Sequence, residues 1–186
     1  MEEINHSNHS EEKKKPDPRP KMTPAAKAAY VAILTALALI LSYVEAMIPL
    51  NFGIPGIKLG LANLVVLIGL FLLRPGEVLA ISVARILLAG FLFGNAASII
   101  YSLAGGLLSF AVMLGLSKCS RFSIMGISIA GGVSHNIGQI IVASIAVENI
   151  KLMYYLPALL IAGVLTGLLI GVIGGRVLPA VSRITR

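Results

Sequence analysis

Beyond a polar start, the sequence carries six apolar segments, at 28–48, 61–73, 77–93, 96–116, 124–147 and 152–175. A helix crossing a bilayer needs about 20 apolar residues, with a range of roughly 17–25. Segments one, four, five and six meet that length directly. The second is short unless it starts near Ile57, which puts Lys58 at the interface. The third reaches the lower limit and carries Arg85. Lipid offers a backbone no hydrogen bonds, so only helices and closed barrels cross it. None of these runs alternates polar with apolar residues as a barrel strand does. The expected fold is therefore all-α and integral to the membrane, with six transmembrane helices.

Charge placement sets the expected orientation. Charged residues make up 12% of the chain, about half the usual 25% of a soluble domain, and this argues against a soluble enzyme. Ten of the 23 charged residues lie in 1–22, five of each sign, so the net charge of +7 belongs to the apolar part. With a cytoplasmic N-terminus, twelve basic residues fall inside: Lys13, Lys14, Lys15, Arg19, Lys21, Lys27, Arg74, Lys118, Arg121, Arg176, Arg183 and Arg186. Only Lys58 and Lys151 fall outside, and Arg85 lies within a span. This positive-inside asymmetry predicts an even number of spans with both termini in the cytoplasm.

Residues 1–22 read as a disordered polar tail and 23–186 as the membrane domain. The tail has no apolar core of a signal peptide, so the first apolar segment is expected to be an uncleaved anchor. His6 and His9 in the tail read as solvated. The connection at 49–60, PLNFGIPGIKLG, is longer than a turn requires. It fits either a plug dipping into the membrane or a plain interfacial loop.

Small residues repeat every four positions on three helices. Gly163, Gly167, Gly171 and Gly175 mark the last span, and Gly126, Ala130, Ser134 and Gly138 the fifth. Such faces let helix backbones approach closely, and packing within the chain accounts for most of them. Ala28, Ala32 and Ala36 form a third stripe at the cytoplasmic end of the first span. It could equally accept a helix of another protein.

Polar residues inside a span are costly and are functional candidates. They are Asn63, Arg85, His135, Asn136 and Gln139, with Glu45 and Lys58 near the outer interface. His135 and Gln139 share a helix face, and Gly131 and Gly132 one turn earlier are expected to leave room there. Arg85 lies eight residues after Glu77, about 12 Å along a helix, and must face a partner, a cavity or a ligand. Glu45 or backbone carbonyls could compensate it, and His135 and Asn136 could serve interhelical hydrogen bonds. Alternatively, Arg85, His135, Asn136 and Gln139 line a small polar pocket for an anionic or amphipathic ligand. No catalysis by this chain alone, no cofactor and no metal site are expected. The sequence holds no P-loop, its only aspartate is Asp17, and its only cysteine is Cys119.

GIPGIKLGLANLVVLIGLFL at 53–72, the six-span layout and AGGVSHNIGQ at 130–139 resemble the Gx transporter family. Its members are often labelled heptaprenyl diphosphate synthase component I, and the resemblance covers residues 25–178. That family is similar to the S components of energy-coupling factor (ECF) transporters. The resemblance implies a six-helix bundle in the cell membrane with cytoplasmic termini, which captures a small molecule and docks on a transmembrane coupling protein and ATPase subunits. S components carry an AxxxA pattern in their first helix for that docking, and Ala28, Ala32 and Ala36 match it. The candidate ligand-binding residues remain those read from the spans, Arg85, His135, Asn136, Gln139, Asn63 and Lys58, with lipid around the bundle and no nucleic-acid partner expected. The family label and its relatives imply an alternative: a membrane subunit linked to prenyl diphosphate or quinone biosynthesis, or to flavin-dependent extracellular electron transfer. Prenyl diphosphate synthases of the usual type need aspartate-rich Mg²⁺ sites, and the membrane part here has no aspartate.

Overall fold

The structure, a computed structural model, describes residues 22–47, 58–119 and 121–184. The expected polar tail and most of the 49–60 connection lie outside the described residues. All the regular elements among the described residues are helical: α1 (Pro24–Met47), α2 (Asn63–Leu72), α3 (Pro75–Phe93), α4 (Ala96–Ser117), α5 (Ile124–Ala146), a 3₁₀ turn (Ile150–Tyr155) and α6 (Leu156–Ile184).

The helix starts follow from local chemistry. The first backbone N–H groups of a helix lack partners within it, and side chains supply them here. Thr23 Oγ1 accepts the Ala26 N–H at the head of α1. Pro75 opens α3, where its missing N–H costs nothing, and the Glu77 carboxylate accepts the Arg74 N–H at 3.0 Å. Asn95 caps α4 by accepting the Ser98 N–H at 2.8 Å, and Ser123 caps α5 by accepting the Gly126 N–H at 3.1 Å. After α5 the chain turns through Glu148, whose φ of 52° is left-handed.

Five of the helices are long and apolar enough to cross a membrane. Their outer faces carry exposed large apolar side chains, among them Ile33, Phe91, Ile145 and Leu165. A soluble monomer rarely exposes so much apolar surface; lipid accounts for it.

Helix α2 differs from the expected 61–73 span. It has ten residues, about 15 Å of rise, half of a hydrocarbon core of about 30 Å. It does not extend back to Ile57, because Lys58–Ala62 is not helical. Every residue of α2 except Phe71 is buried, and the helix touches α1, α3, α4, α5 and α6. Two contacts show where its ends lie. At one, the Glu45 carboxylate near the C-terminal end of α1 accepts the Gly60 N–H. At the other, the Lys27 ammonium near the start of α1 pairs with Glu77 at the start of α3. The heads of α1 and α3 therefore lie together, and α2 leads the chain back between them.

The rest of the bundle is built on α5, which packs between α4 and α6. A Cβ on Gly132 would overlap the Gly163 carbonyl, one on Gly167 would sit 2.6 Å from Ile129 Cα, and one on Gly171 would sit 2.8 Å from Met125 Cα. Three of the four expected α6 glycines thus serve internal packing, while Gly175 meets nothing within 4 Å. The α5 surface that meets them is not the predicted stripe of Gly126, Ala130, Ser134 and Gly138. Gly138 instead packs on the other side, where its Cβ would lie 2.8 Å from the Ala104 carbonyl of α4.

Candidate functional site

A polar cluster forms where the non-helical stretch before α2 meets α1, α3 and α5. Gly60 is its pivot. Its φ of +83° is left-handed, a conformation glycine adopts without the steric cost other residues bear. That turn aims the Gly60 N–H at Glu45, whose Oε1 accepts it. Glu45 is only 5% exposed, so a buried carboxylate holds the entry to α2. A negative group is favoured there because the helix dipole is positive at its N-terminal end.

Arg85 reaches the same region from α3. It is 3% exposed, and Nη1 donates to Ser42 Oγ at 3.3 Å. Ser42 lies one turn before Glu45 on α1. Arg85 does not pair directly with Glu45, since no guanidinium–carboxylate contact within 4.0 Å occurs between them. Nε and Nη2 of Arg85 and Oε2 of Glu45 are buried without a hydrogen-bond partner. The compensation expected from Glu45 is thus electrostatic at a distance, and a serine hydroxyl supplies the direct contact.

His135 and Gln139 enter from α5 and are linked side chain to side chain at 2.7 Å. Gln139 Oε1 accepts the Lys58 backbone N–H at 3.0 Å. That bond fixes the amide orientation and makes Gln139 Nε2 the donor to His135 Nε2. His135 is therefore the neutral tautomer with its proton on Nδ1, and Nδ1 is buried without a partner. Both side chains fit against α4 because Gly105 has no Cβ, which would lie 2.7 Å from Gln139 Cγ and 2.6 Å from the His135 carbonyl. Asn63, the first residue of α2, stands beside Gly60, and its Nδ2 is also buried and unpartnered.

The structure thus brings together Arg85, His135, Gln139, Asn63 and the backbone of Lys58. It does not bring Asn136 with them. The Asn136 amide donates to the Leu159 carbonyl of α6 at 2.6 Å, in the interhelical role weighed from sequence. Nor do Gly131 and Gly132 open space beside His135. Met113 fills the position a Gly131 Cβ would take, and the Gly163 backbone fills that at Gly132. Ala28, Ala32 and Ala36 are remote from the cluster and exposed on α1. Sequence reasoning missed Ser42, Gly60 and Gly105. The available signal was the Gly105-Gly106 pair, since small residues in a membrane helix mark a close approach.

Among the described residues, five unpartnered polar atoms on four side chains of one buried region are rare, since buried polar atoms are nearly always satisfied. Four nitrogen donors (Arg85 Nε and Nη2, Asn63 Nδ2, His135 Nδ1) stand against one acceptor, Glu45 Oε2. Such a set is short of acceptors, and an anionic group is the chemistry that would supply them.

A family model described as heptaprenyl diphosphate synthase component I matches residues 34–177. The match includes every member of the cluster and Ala36, and it begins after Ala28 and Ala32. No curated protein and no solved structure matches the chain.

Proposed function

The chain belongs to the heptaprenyl diphosphate synthase component I family, and from that premise we propose that it is a ligand-capturing membrane component whose driving subunits are separate chains, in the manner of an ECF S component. The observation that carries this reading is the cluster of unpartnered buried polar groups at the head of α2. Irregular backbone at membrane depth leading into a half-length helix is a known place for substrate sites in transporters. The chain's own sequence offers no P-loop and no aspartate among its apolar segments, so energy or catalysis comes in trans. A coupling protein and ATPase subunits are the partners of this reading, and the ligand is a small anionic or amphipathic molecule.

The docking surface of the proposal is Ala28, Ala32 and Ala36. Their exposure on α1 contrasts with the glycines of α6, most of which are used inside the bundle. Ala32→Leu adds bulk to an outward face. It is expected to leave folding and melting temperature unchanged within about 0.5 kcal/mol, as for surface substitutions generally, while co-purification of the coupling subunits is lost. Misfolding of Ala32→Leu would make the stripe internal packing and remove the docking reading.

The proposal includes six crossings of the cell membrane with both termini in the cytoplasm. The Lys27–Glu77 pair supports it, since α1 and α3 then run the same way and the segment holding α2 must return the chain. Cys119, the only thiol, is exposed between α4 and α5. An impermeant maleimide added to intact cells is expected to leave Cys119 unlabelled until the cells are opened. Efficient labelling from outside would overturn the orientation.

The family description favours a second reading, a membrane component linked to a heptaprenyl diphosphate synthase or to quinone or flavin-dependent redox chemistry. Affinity purification of the intact chain separates the two. Co-purified ATPase subunits support the transporter, whereas a co-purified prenyl synthase subunit, isoprenoid or flavin supports the other.

A further inference from the structure

We infer that Arg85 offers a two-pronged contact to an oxyanion that displaces the packing now covering it, so that the molecule captured here carries a carboxylate or phosphate group seated on Arg85 Nε and Nη2; this rests on the receptor reading above. Ser42 occupies Nη1. The two nitrogens left, Nε and Nη2, are both buried and unpartnered. They form the edge of the guanidinium whose N–H bonds run parallel, the arrangement that makes two simultaneous bonds to a carboxylate or phosphate. Ser42 is 0% exposed and holds the opposite nitrogen, which turns the free edge away from α1.

The neighbouring carboxylate does not take that edge. Glu45 commits Oε1 to the Gly60 N–H and stays beyond 4.0 Å from the guanidinium. The site therefore holds two cationic side chains, Arg85 and the half-buried Lys58, against one carboxylate. One anionic group on a ligand would balance it. A further donor stands nearby, Asn63 Nδ2, which is buried and unpartnered beside Gly60. Glu45 Oε2, an acceptor of this cluster left without a hydrogen bond, would take a hydroxyl or N–H of the same ligand.

An oxyanion could come from a free metabolite or from a lipid headgroup, and simple probes tell these apart. The full chain, purified in a nonionic detergent, is melted in acetate, inorganic phosphate, decanoate, decyl phosphate and decanol at matched ionic strength. Saturable stabilisation by the anions and none by decanol is expected. A response to acetate or phosphate alone marks a free small anion. A response confined to decanoate or decyl phosphate marks a lipid-like one. Arg85→Lys keeps the charge and loses the fork, so the apparent affinity for the responding anion falls at least about tenfold. Ser42→Ala keeps the guanidinium and removes its anchor, and a smaller loss, roughly three- to tenfold, is expected. It also guards against misfolding of the lysine variant. A wild-type chain that no anion stabilises, or one whose response is unchanged in both variants, overturns the inference. Capture of ATPase subunits by a chain that no anion stabilises would sink the oxyanion fork alone. Saturable anion binding by a chain that captures no partner supports the fork and sinks the transporter reading.

Discussion

Glu45→Ala is expected to cost about 3–5 kcal/mol of stability, the usual loss when one member of a buried charge set is removed. Two effects combine. The Gly60 N–H loses its acceptor, and Arg85, 3% exposed, keeps its charge with no carboxylate nearby. Glu45→Gln separates them. The amide oxygen can still accept from Gly60, so this variant loses only the charge and is expected to sit between wild type and Glu45→Ala. Arg85→Ala is expected to cost less than Glu45→Ala, because Glu45 keeps its bond to Gly60 and its proximity to Lys58. Removing both charges together should then recover part of the loss, giving a coupling of at least about 0.5 kcal/mol in a double-mutant cycle. Thermal unfolding of the four proteins in one detergent measures all of this. If Glu45→Gln falls as far as Glu45→Ala, the carboxylate acts through its charge alone and its role in holding the head of α2 is wrong.

Much of the fold was legible because membrane helices obey a length rule and their ends show local chemistry. Pro75, Asn95 and Ser123 stand where α3, α4 and α5 begin. The segment at 61–73 resisted the same rule. Its hydropathy says that it is buried, but it cannot say whether burial is by lipid or by five other helices. Only the packing around α2 answers that. Polar residues in the spans were equally visible, since few side chains there can be ionised or donate. Their directions were less so. Asn136 follows His135 in sequence, yet adjacent helical residues point about 100° apart, so Gln139 shares the His135 face and Asn136 turns to α6. Ser42 gave almost no signal, because a serine in a membrane helix commonly bonds its own backbone, as Ser134 does with Ala130.

Gly60 offers the sharpest test of how the site is built, because its expected effect reverses sign at a control position. At φ +83°, any L side chain pays roughly 1–2 kcal/mol for the left-handed backbone. A Cβ there would also lie 2.8 Å from His135 Cδ2 and 3.0 Å from Asn63 Nδ2, and crowding of this kind costs typically 1–3 kcal/mol. Gly60→Ala is therefore expected to lose about 2–5 kcal/mol, the sum of those two costs. Neither neighbour can yield freely. His135 is held by Gln139, which is itself held by the Lys58 N–H, and Asn63 begins α2. Relief would have to come from the turn itself, which would pull the Gly60 N–H from Glu45 and disturb the groups facing Arg85. Any ligand binding should fall together with stability. Gly115 in α4 is the control: nothing lies within 4 Å of its Cβ position and its backbone is helical, so Gly115→Ala should stabilise by up to about 1 kcal/mol. Melting curves of the two variants in one detergent decide the matter. Equal melting of Gly60→Ala and wild type would mean that the left-handed turn is not what positions the head of α2, and the geometry proposed for the site would fall with it.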